Sequence, residues 1–212
     1  MVKASIIIPA YQEEDYIENT LKSAFHPETE IIVVTNGCTD KTAKIAMRYA
    51  DKILELENKG VSKARNEGAK IASGSKLIFL DADIKLQNNT IEKILNSKYS
   101  IGTCYSKPDV NKFVPKTLMQ LKKPFQHLGW SSGLIFCSKE VYNKMNGFDE
   151  NMDFGEDGKF IRKAKKIGKF GVVNTHVINS MRRFEKEGYT YWIMFWIKNI
   201  FNKQKNGYEA IR

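Results

Sequence analysis

The stretch Lys76-Leu77-Ile78-Phe79-Leu80-Asp81-Ala82-Asp83 decides how this chain folds. Four apolar residues run directly into two carboxylates that are separated by one residue. A short continuous apolar run after a Gly-Ser turn is typical of a strand buried on both faces of a parallel sheet. The carboxylates then lie at its carboxyl end, where open α/β sheets bind ligands. Two hard oxygen ligands there suit Mg²⁺ or Mn²⁺, whereas an isolated Asp-x-Asp is more often a solvated turn.

The chain before this stretch alternates apolar runs with amphipathic segments. The predicted strands are Ala4 to Ile8, Glu30 to Val34 and Ile53 to Leu56. The predicted helices are Glu13 to Phe25, a segment around Ala43 to Ala50, and Val61 to Ala72. This order indicates an α/β fold with a mostly parallel, doubly wound sheet and helices on both faces. Its strand-to-helix loops open on one edge, so Tyr11, Asp40 and the two aspartates should converge.

Regularity weakens after Asp83. The predicted features there are a helix capped by Thr90, a strand over Ser100 to Tyr105, an irregular basic stretch over 107–128, and a strand over Gly129 to Cys137. A helix over Lys139 to Met145 and another beginning near Asp157 follow. The second acidic cluster consists of Asp153, Glu156 and Asp157. These side chains either carry chemistry or favourably charge a helix N-terminus.

Length and composition narrow the function classes. The 212 residues suffice for one full core and a tail. The net charge of +10 suits nucleic acid, an anionic membrane or a phosphorylated ligand, but no nucleic-acid-binding pattern is present. Three widely separated cysteines indicate neither a zinc site nor a disulfide framework, and they favour the cytoplasm. Neither a GxGxxG nor a GxxxxGK[ST] phosphate-binding loop occurs.

Residues 181–212 form a basic, aromatic-rich tail. Its apolar run from Tyr189 to Phe201 is too short to span a bilayer, and lysines and arginines flank it. An amphipathic helix at an anionic membrane surface has this composition. The alternative is a helix that packs on the catalytic core or on a partner subunit. If the tail binds lipid, the chain would lie peripherally on the inner face of the cell membrane.

Several segments of this chain resemble the family 2 glycosyltransferases, which are inverting enzymes with the GT-A fold. The matching segments are Ser5 to Glu14, Val34 to Asp40, Asn58 to Asn66, Leu80 to Asp83, Gly147 to Glu150 and Gly155 to Asp157. The resemblance extends over about residues 4–168. It implies one catalytic GT-A domain over residues 1–180, with a nucleotide-binding half at 1–105 and an acceptor half at 106–180.

The resemblance also implies roles for individual residues. The implied nucleotide-binding residues are Pro9, Ala10, Tyr11, Glu13, Asp40, Arg65 and Asp81. The implied metal ligands are Asp83 and Asp81, with His176 as a further candidate that is more simply a surface histidine. Asp157 is the implied general base, and the acceptor-side residues are Glu156, Trp130, Arg182 and Arg183. Asp40 also suits the start of the second helix.

Two positions depart from the family pattern. Gln12 stands where Asn is usual, and Asn36 stands where an acidic residue is common, which leaves the nucleotide base open. The implied donor is a UDP or GDP sugar, and the implied acceptor is a glycan hydroxyl or a lipid-linked phosphate. Mn²⁺ or Mg²⁺ would offset the charge of the leaving diphosphate, and a carboxylate would take the acceptor proton.

Two other readings compete with this one. A sugar-phosphate nucleotidyltransferase would carry a Gly-rich, basic loop after the first strand, and Pro9 to Glu13 lacks it. A non-catalytic, membrane-binding relative would not need Asp81, Asp83 and Asp157 together.

Overall fold

The computed structural model describes residues 2–152 and 155–194. Within them one mixed sheet of eight strands forms the centre of the molecule. The strands are β1 (Ala4–Ala10), β2 (Thr29–Asn36), β3 (Lys52–Leu56), β4 (Lys76–Leu80), β5 (Ile84–Leu86), β6 (Ile101–Pro108), β7 (Leu134–Ser138) and β8 (Phe170–Asn179). Their spatial order is β3-β2-β1-β4-β7-β6-β8-β5.

The two halves of the sheet differ in strand direction. Strands β3, β2, β1 and β4 are parallel to one another, as the alternating pattern predicts. Strand β7 is antiparallel to both β4 and β6, and β5 is antiparallel to β8. Strands β6 and β8 are parallel. The predicted α/β sheet is therefore confirmed, and its second half is mixed.

Helices cover both faces of this sheet. They are α1 (Ile17–Ala24), α2 (Thr42–Ala46), α3 (Val61–Ile71), α4 (Thr90–Leu95), α5 (Phe113–Leu128), α6 (Lys139–Met145), α7 (Glu156–Ala164) and α8 (Arg182–Glu187). The first helix begins at Ile17 rather than at Glu13. The segment before it forms turns, in which the backbone N–H groups of Tyr16 and Ile17 donate to the Glu13 carbonyl. Glu13 is buried and does not charge the first turn of that helix.

Residues 107–128 were wrongly predicted to be irregular. Strand β6 continues to Pro108 because it pairs with β8 as far as Asn179, and α5 then begins at Phe113. Pro115 lies in the first turn of α5, where its missing N–H has no helical partner to lose. Pro124 lies inside the helix without ending it. The prediction of Thr90 as a helix cap is also wrong, because Thr90 is the first helical residue and its hydroxyl bonds to Thr175.

Strand β4 is buried on both faces, as its apolar run predicts. Ile78 and Leu80 belong to one core cluster, whereas Leu77 and Phe79 belong to the cluster on the opposite face. This division follows from the two-residue period of a strand. On the second face the Phe79 ring meets Phe148 edge-on, with ring centres 4.9 Å apart. These contacts fix α7 and the preceding loop against the carboxyl end of β4.

The described part of the tail packs on the protein. Trp192 is buried, and its indole N–H donates to the Arg183 carbonyl at 3.2 Å. Phe184 packs against both Trp192 and Tyr189. This packing supports the alternative to membrane contact as far as residue 194. Phe195, Trp196 and Phe201, like Asp153, lie outside the described residues. In the described ranges, every helix is too short or too polar to cross a bilayer.

Glu30 generates a prediction about the parallel half of the sheet. Its carboxylate accepts hydrogen bonds from Ser5 Oγ at 2.5 Å and from the Ser73 amide at 2.6 Å, and it pairs with Lys52 Nζ at 2.8 Å. Burial raises the pKa of Glu30, but these partners outweigh burial and lower it to about 2.

We expect Glu30→Gln to reduce the free energy of unfolding at pH 7 by roughly 1–3 kcal/mol. A depressed carboxyl pKa stabilises the fold above the unfolded value, near 4.3, and this contribution is lost as the pH falls towards 2. Urea unfolding at pH 7 and pH 3 measures the difference. Glu28→Gln is the control, since Glu28 forms an exposed pair with Lys3. Equal losses in the two variants would contradict the prediction.

Candidate active site

A cleft of about 730 Å³ opens at the carboxyl ends of β1, β2 and β4. Its lining comes from the β1 and β4 loops, the start of α3, and the segment that enters α7. The lining residues are Pro9, Tyr11, Glu13, Asn36, residues 59–63, Arg65, residues 81–83, Glu150, Met152, residues 155–157 and Arg183. A volume of this size is typical of small-molecule sites. Tyr11, Asp81 and Asp83 therefore converge as predicted, whereas Asp40 does not line the cleft.

Arg65 joins three carboxylates in the middle of this cleft. Its Nη1 donates to Asp157 Oδ1 at 2.6 Å and to Glu156 Oε1 at 3.0 Å. Its Nη2 donates to Asp81 Oδ1 at 2.9 Å. The Arg65 side chain is only 4% exposed, so the guanidinium interacts with the carboxylates in surroundings largely shielded from water. The three carboxylates come from the end of β4 and the start of α7.

The protonation equilibria of this cluster reflect its crowding. Burial lowers the pKa of Arg65, but Asp157, Asp81 and Glu156 outweigh it, and the guanidinium stays charged. Burial raises the pKa of Asp81, and the negative charges of Asp157 and Asp83 add to this rise against the opposing effect of Arg65. Burial and Asp157 likewise raise the pKa of Glu156. Because three carboxylates share one guanidinium, the cluster has an excess of negative charge.

Arg182 holds a second group of carboxylates together. Its Nη2 donates to both carboxylate oxygens of Glu13 at 2.8 Å and to Asp83 Oδ2 at 3.0 Å. Its guanidinium carbon lies 4.1 Å from the centre of the Tyr16 ring. Arg182 was predicted to lie on the acceptor side, whereas it contacts Glu13, an implied nucleotide-binding residue, and Asp83, an implied metal ligand. Arg183, its neighbour, lines the cleft.

Other predicted nucleotide-binding residues shape the cleft without lining it. Ala10 is fully buried, and its carbonyl accepts from the Asn36 amide at 3.0 Å. The Asp40 carboxylate accepts from the backbone N–H groups of Thr42 and Glu14, each at 3.1 Å, in line with its alternative role at the start of α2. Gln12 has a φ of 54°, a left-handed conformation that Asn adopts more readily.

The remaining predicted residues fall in different places. Tyr11 lines the cleft, and the Lys59 ammonium lies 4.9 Å from its ring centre. Trp130 follows α5, with its ring 4.8 Å from Phe125. The His176 ring lies 5.7 Å from that of Tyr105. In residues 2–152 and 155–194, no group of three or more His, Cys, Asp or Glu side chains could hold a metal ion. His176 therefore does not stand with Asp81 and Asp83.

Lys122 of α5 is a further cation, not predicted from the sequence, which does not line the cleft. Burial lowers its pKa to about 8, and Asp157 and Asp81 are the acidic groups that oppose this shift most. Lys122 follows Met119 and precedes Gln126, both buried on the inner side of α5. The helical spacing of these three residues was the available signal, and the prolines of this stretch obscured it.

Asp83 and Asp81 fit a divalent cation whose coordination is completed by a ligand. The side chains are 19% and 38% exposed, so their oxygens are accessible from the cleft. Their present partners are both guanidinium groups, as expected for a site that favours positive charge. Mg²⁺ and Mn²⁺ commonly use one or two carboxylates and take their other ligands from phosphates and water.

A cleft of this kind at the edge of such a sheet is characteristic of GT-A glycosyltransferase domains. The family model for glycosyl transferase family 2 matches residues 5–127, more than half of the chain. The chain belongs to glycosyl transferase family 2. The predicted family is therefore confirmed.

Two solved structures share the fold. Staphylococcus aureus TarS, residues 1–349 with UDP-GlcNAc, has a TM-score of 0.71 and 20% identity and covers 96% of this chain and 68% of its own. Mannosyltransferase PcManGT from Pyrobaculum calidifontis, with GDP-Man and Mn²⁺, has a TM-score of 0.69 and 16% identity and covers 96% and 66%. These matches confirm the predicted GT-A fold.

A curated relative is similar in sequence over most of the chain. GgaB, a minor teichoic acid biosynthesis protein of Bacillus subtilis (strain 168), is 28% identical over 194 residues. The alignment covers 77% of this chain and 21% of GgaB, so the chain spans about a fifth of the length of that relative.

The Arg65 cluster predicts a large and pH-dependent loss of stability on its removal. We expect Arg65→Met to reduce the free energy of unfolding by about 3–5 kcal/mol, because buried carboxylates lose their counterion. The loss should be larger at pH 8 than at pH 5. The pKa values of Asp81 and Glu156 are raised in the folded state, so both groups bind protons more tightly there than in the unfolded chain. Their contribution to the free energy of unfolding is present at low pH and is lost as the pH rises through these pKa values.

Adding Asp157→Asn to Arg65→Met should recover part of this loss, because one unpaired charge is removed. Arg48→Met, which breaks an exposed pair with Glu18, is the control and should change stability by less than about 1 kcal/mol. Denaturant unfolding of the four proteins, including wild type, provides the measurement. A pH-independent loss in Arg65→Met would show that lost packing, rather than charge, explains it.

Proposed function

We propose that this chain transfers a sugar, with inversion, from a nucleoside diphosphate donor to an acceptor hydroxyl or a lipid phosphate. One observation carries the proposal. Asp81, Glu156 and Asp157 gather on Arg65 beside Asp83, in one cleft at the carboxyl edge of the parallel strands. Family membership supports the reaction class.

The nucleoside would occupy the side of the cleft formed by β1 and β2. Tyr11 offers an aromatic face for the base, and Lys59 lies against the same ring. Asn36 is buried there, and its side chain ties the Ala10 carbonyl to the Gly60 amide, so it shapes the wall. Relatives of this fold bind UDP-GlcNAc and GDP-Man, so we propose a UDP or GDP donor without choosing the base.

Asp83, with Asp81, would hold the divalent cation and the diphosphate that it binds. When bound, such a cation stabilises the negative charge that grows on the leaving diphosphate. Mn²⁺ accompanies GDP-Man in PcManGT, which supports a divalent ion here. Arg182 donates to Oδ2 of Asp83, so it would share this carboxylate with the cation. Arg182 would keep Glu13 as a partner through two hydrogen bonds and would lie next to the donor.

Asp157 is proposed as the general base. Arg65 binds its Oδ1, and in the described part of the chain no hydrogen bond reaches its Oδ2. The guanidinium therefore orients the carboxylate and leaves one oxygen for the acceptor proton. The raised pKa of Glu156 favours a neutral neighbour, which lowers the repulsion between the two acids. A lipid phosphate acceptor, already ionised, would not need this base.

The metal assignment predicts that nucleotide binding depends on Asp83. We expect wild-type protein to bind UDP or GDP more tightly with Mn²⁺ than without it, and Asp83→Ala to lose this difference, because the cation loses its protein ligand. Isothermal calorimetry measures both affinities. Asp15→Asn, which changes an exposed aspartate outside the cleft lining, is the control. Equal Mn²⁺-supported affinity in wild type and Asp83→Ala would exclude the assigned ligand.

The base assignment predicts a defect in transfer but not in donor binding. Asp157→Asn keeps the hydrogen bond to Arg65 through its amide oxygen and removes the basic oxygen. We expect kcat to fall by roughly 10²–10⁴-fold with little change in donor KM, the pattern for an interaction formed only in the transition state. Transfer at the wild-type rate would mean that Asp157 is structural or that the acceptor is already an anion.

A further inference from the structure

Strands β6, β8 and β5 are neighbours at one end of the sheet, and their two faces differ. Ser106, Val177 and Leu86 lie side by side on the buried face. Because side chains alternate along a strand, the residues between them belong to the opposite face. The outer face of β6-β8-β5 consists of Tyr105, Lys107, His176, Ile178 and Lys85. Its two lysines are exposed, and its other three members are half-buried.

Helix α5 adds a further cation to this outer face. Lys123 Nζ lies 5.6 Å from the centre of the Tyr105 ring, and the rings of Tyr105 and His176 are 5.7 Å apart. Tyr105 Oη also shares a hydrogen bond of 3.0 Å with Nε2 of His127. Lys123 and His127 are four residues apart, so they lie on the same side of α5. The outer face and this side of α5 therefore form one continuous surface.

This surface has an excess of positive charge. Burial lowers the pKa of His176. The charges of Lys107, Lys123 and Lys93 lower it further, and among the described residues no acid opposes them. Lys107, Lys123 and Lys85 take part in none of the ion pairs of residues 2–152 and 155–194. Their mutual repulsion would be relieved by an anionic ligand.

The surface adjoins the rim of the cleft. Lys85 follows Asp83 by two residues, which is at most about 7 Å along an extended strand. Ile178 precedes Arg182 by four residues, and Arg182 donates to Asp83. Strand β6 is antiparallel to β7, which is antiparallel to β4, so β6 and β4 end at the same edge of the sheet. A chain bound on this surface therefore reaches the cleft.

We infer that the outer face of β6-β8-β5, together with Lys123, binds an extended acceptor chain that carries phosphate groups. The inference rests on the proposed function and names the class of its acceptor. A lysine ammonium binds phosphate as a point charge, whereas planar, bidentate recognition of a carboxylate is typical of arginine. Lys107 and Lys85 lie on the two strands that flank β8, about 10 Å apart. A single phosphate group cannot contact both, but a chain with several phosphates can.

Two other polyanions fit this surface less well. An anionic bilayer is bound by side chains that insert among its acyl chains. In the described ranges, none of the exposed large apolar residues belongs to β5, β6 or β8. Single-stranded nucleic acid is bound by aromatic rings that stack on bases. The Tyr105 ring is half-buried and already contacts His127, His176 and Lys123, so little of it is left for a base.

The test is isothermal calorimetry of the full chain with an oligomer of glycerol phosphate, a chain joined by phosphodiester bonds. We expect wild type to bind it at low salt and to bind it less tightly as salt is added, because bound ammonium groups release counterions. Lys85→Gln/Lys107→Gln should bind it roughly tenfold less tightly or weaker still. Lys44→Gln/Lys166→Gln is the matched control, because it removes the same charge from two exposed lysines outside this surface. A neutral maltooligosaccharide should not bind in its place.

Several results would overturn the inference. These are no binding of the oligomer by wild type, equal binding by wild type and Lys85→Gln/Lys107→Gln, or an equal loss in the two double variants. Tighter binding of a single-stranded oligonucleotide with the same number of phosphates would assign the surface to nucleic acid. Binding of phosphatidylglycerol vesicles without binding of the oligomer would assign it to a membrane.

Calorimetry of UDP or GDP with Mn²⁺ separates this inference from the proposed function. We expect Lys85→Gln/Lys107→Gln to bind nucleotide as wild type does, because neither lysine lines the cleft. Wild type that binds nucleotide with Mn²⁺ but not the oligomer would refute only the class of acceptor. Wild type that binds the oligomer but no nucleotide would refute the proposed donor, and with it the role of the oligomer as acceptor.

Discussion

The buried guanidinium of Arg65 is the interaction on which the cleft depends. It donates to Asp81 at the end of β4 and also to Glu156 in the first turn of α7, although 91 residues separate Arg65 from Glu156. Without a cation at this point, three neighbouring carboxylates would repel one another in a poorly solvated space. The parallel half of the sheet and α7 are thus joined by charge as well as by the packing of Phe79 and Phe148. The carboxylates that we propose as general base and metal ligands would need this kind of compensation.

Two arginines divide the acidic residues of the cleft into separate groups. Arg65 comes from α3 and binds Asp81, Glu156 and Asp157. Arg182 comes from α8 and binds Glu13 and Asp83. Asp81 and Asp83 are only two residues apart, yet they point to different arginines. The short Asp-x-Asp segment would therefore lie on the border between the proposed donor and acceptor sides.

Local sequence patterns predicted much of this organisation, whereas the features that depend on contacts between distant residues could not be predicted. The run before Asp81 predicted a strand buried on both faces, and the alternation before it predicted the convergence of its loops. Helix α5 was not predicted, because Pro115 and Pro124 are residues typical of loops. Pro115 lies in the first turn of the helix, where a proline is tolerated. The three-residue strand β5 is too short to show a period, and its partner β8 lies far along the chain. The contact between Arg182 and Glu13 spans 169 residues, and the sequence around either residue does not indicate it.

The pairing of Arg182 with Asp83 has a consequence for ion exchange. If Asp83 binds a divalent cation as proposed, the cation and the Arg182 guanidinium would compete for the same carboxylate. The two events are thermodynamically linked, and the linkage is reciprocal. Some contacts hold α8 in position, such as the Asp109 carboxylate on the Met181 amide and Trp192 on Phe184. By favouring the bond between Arg182 and Asp83, these contacts would weaken the affinity of Asp83 for the cation. The packing of helix α8 would in this way influence the concentration of divalent cation at which Asp83 binds it.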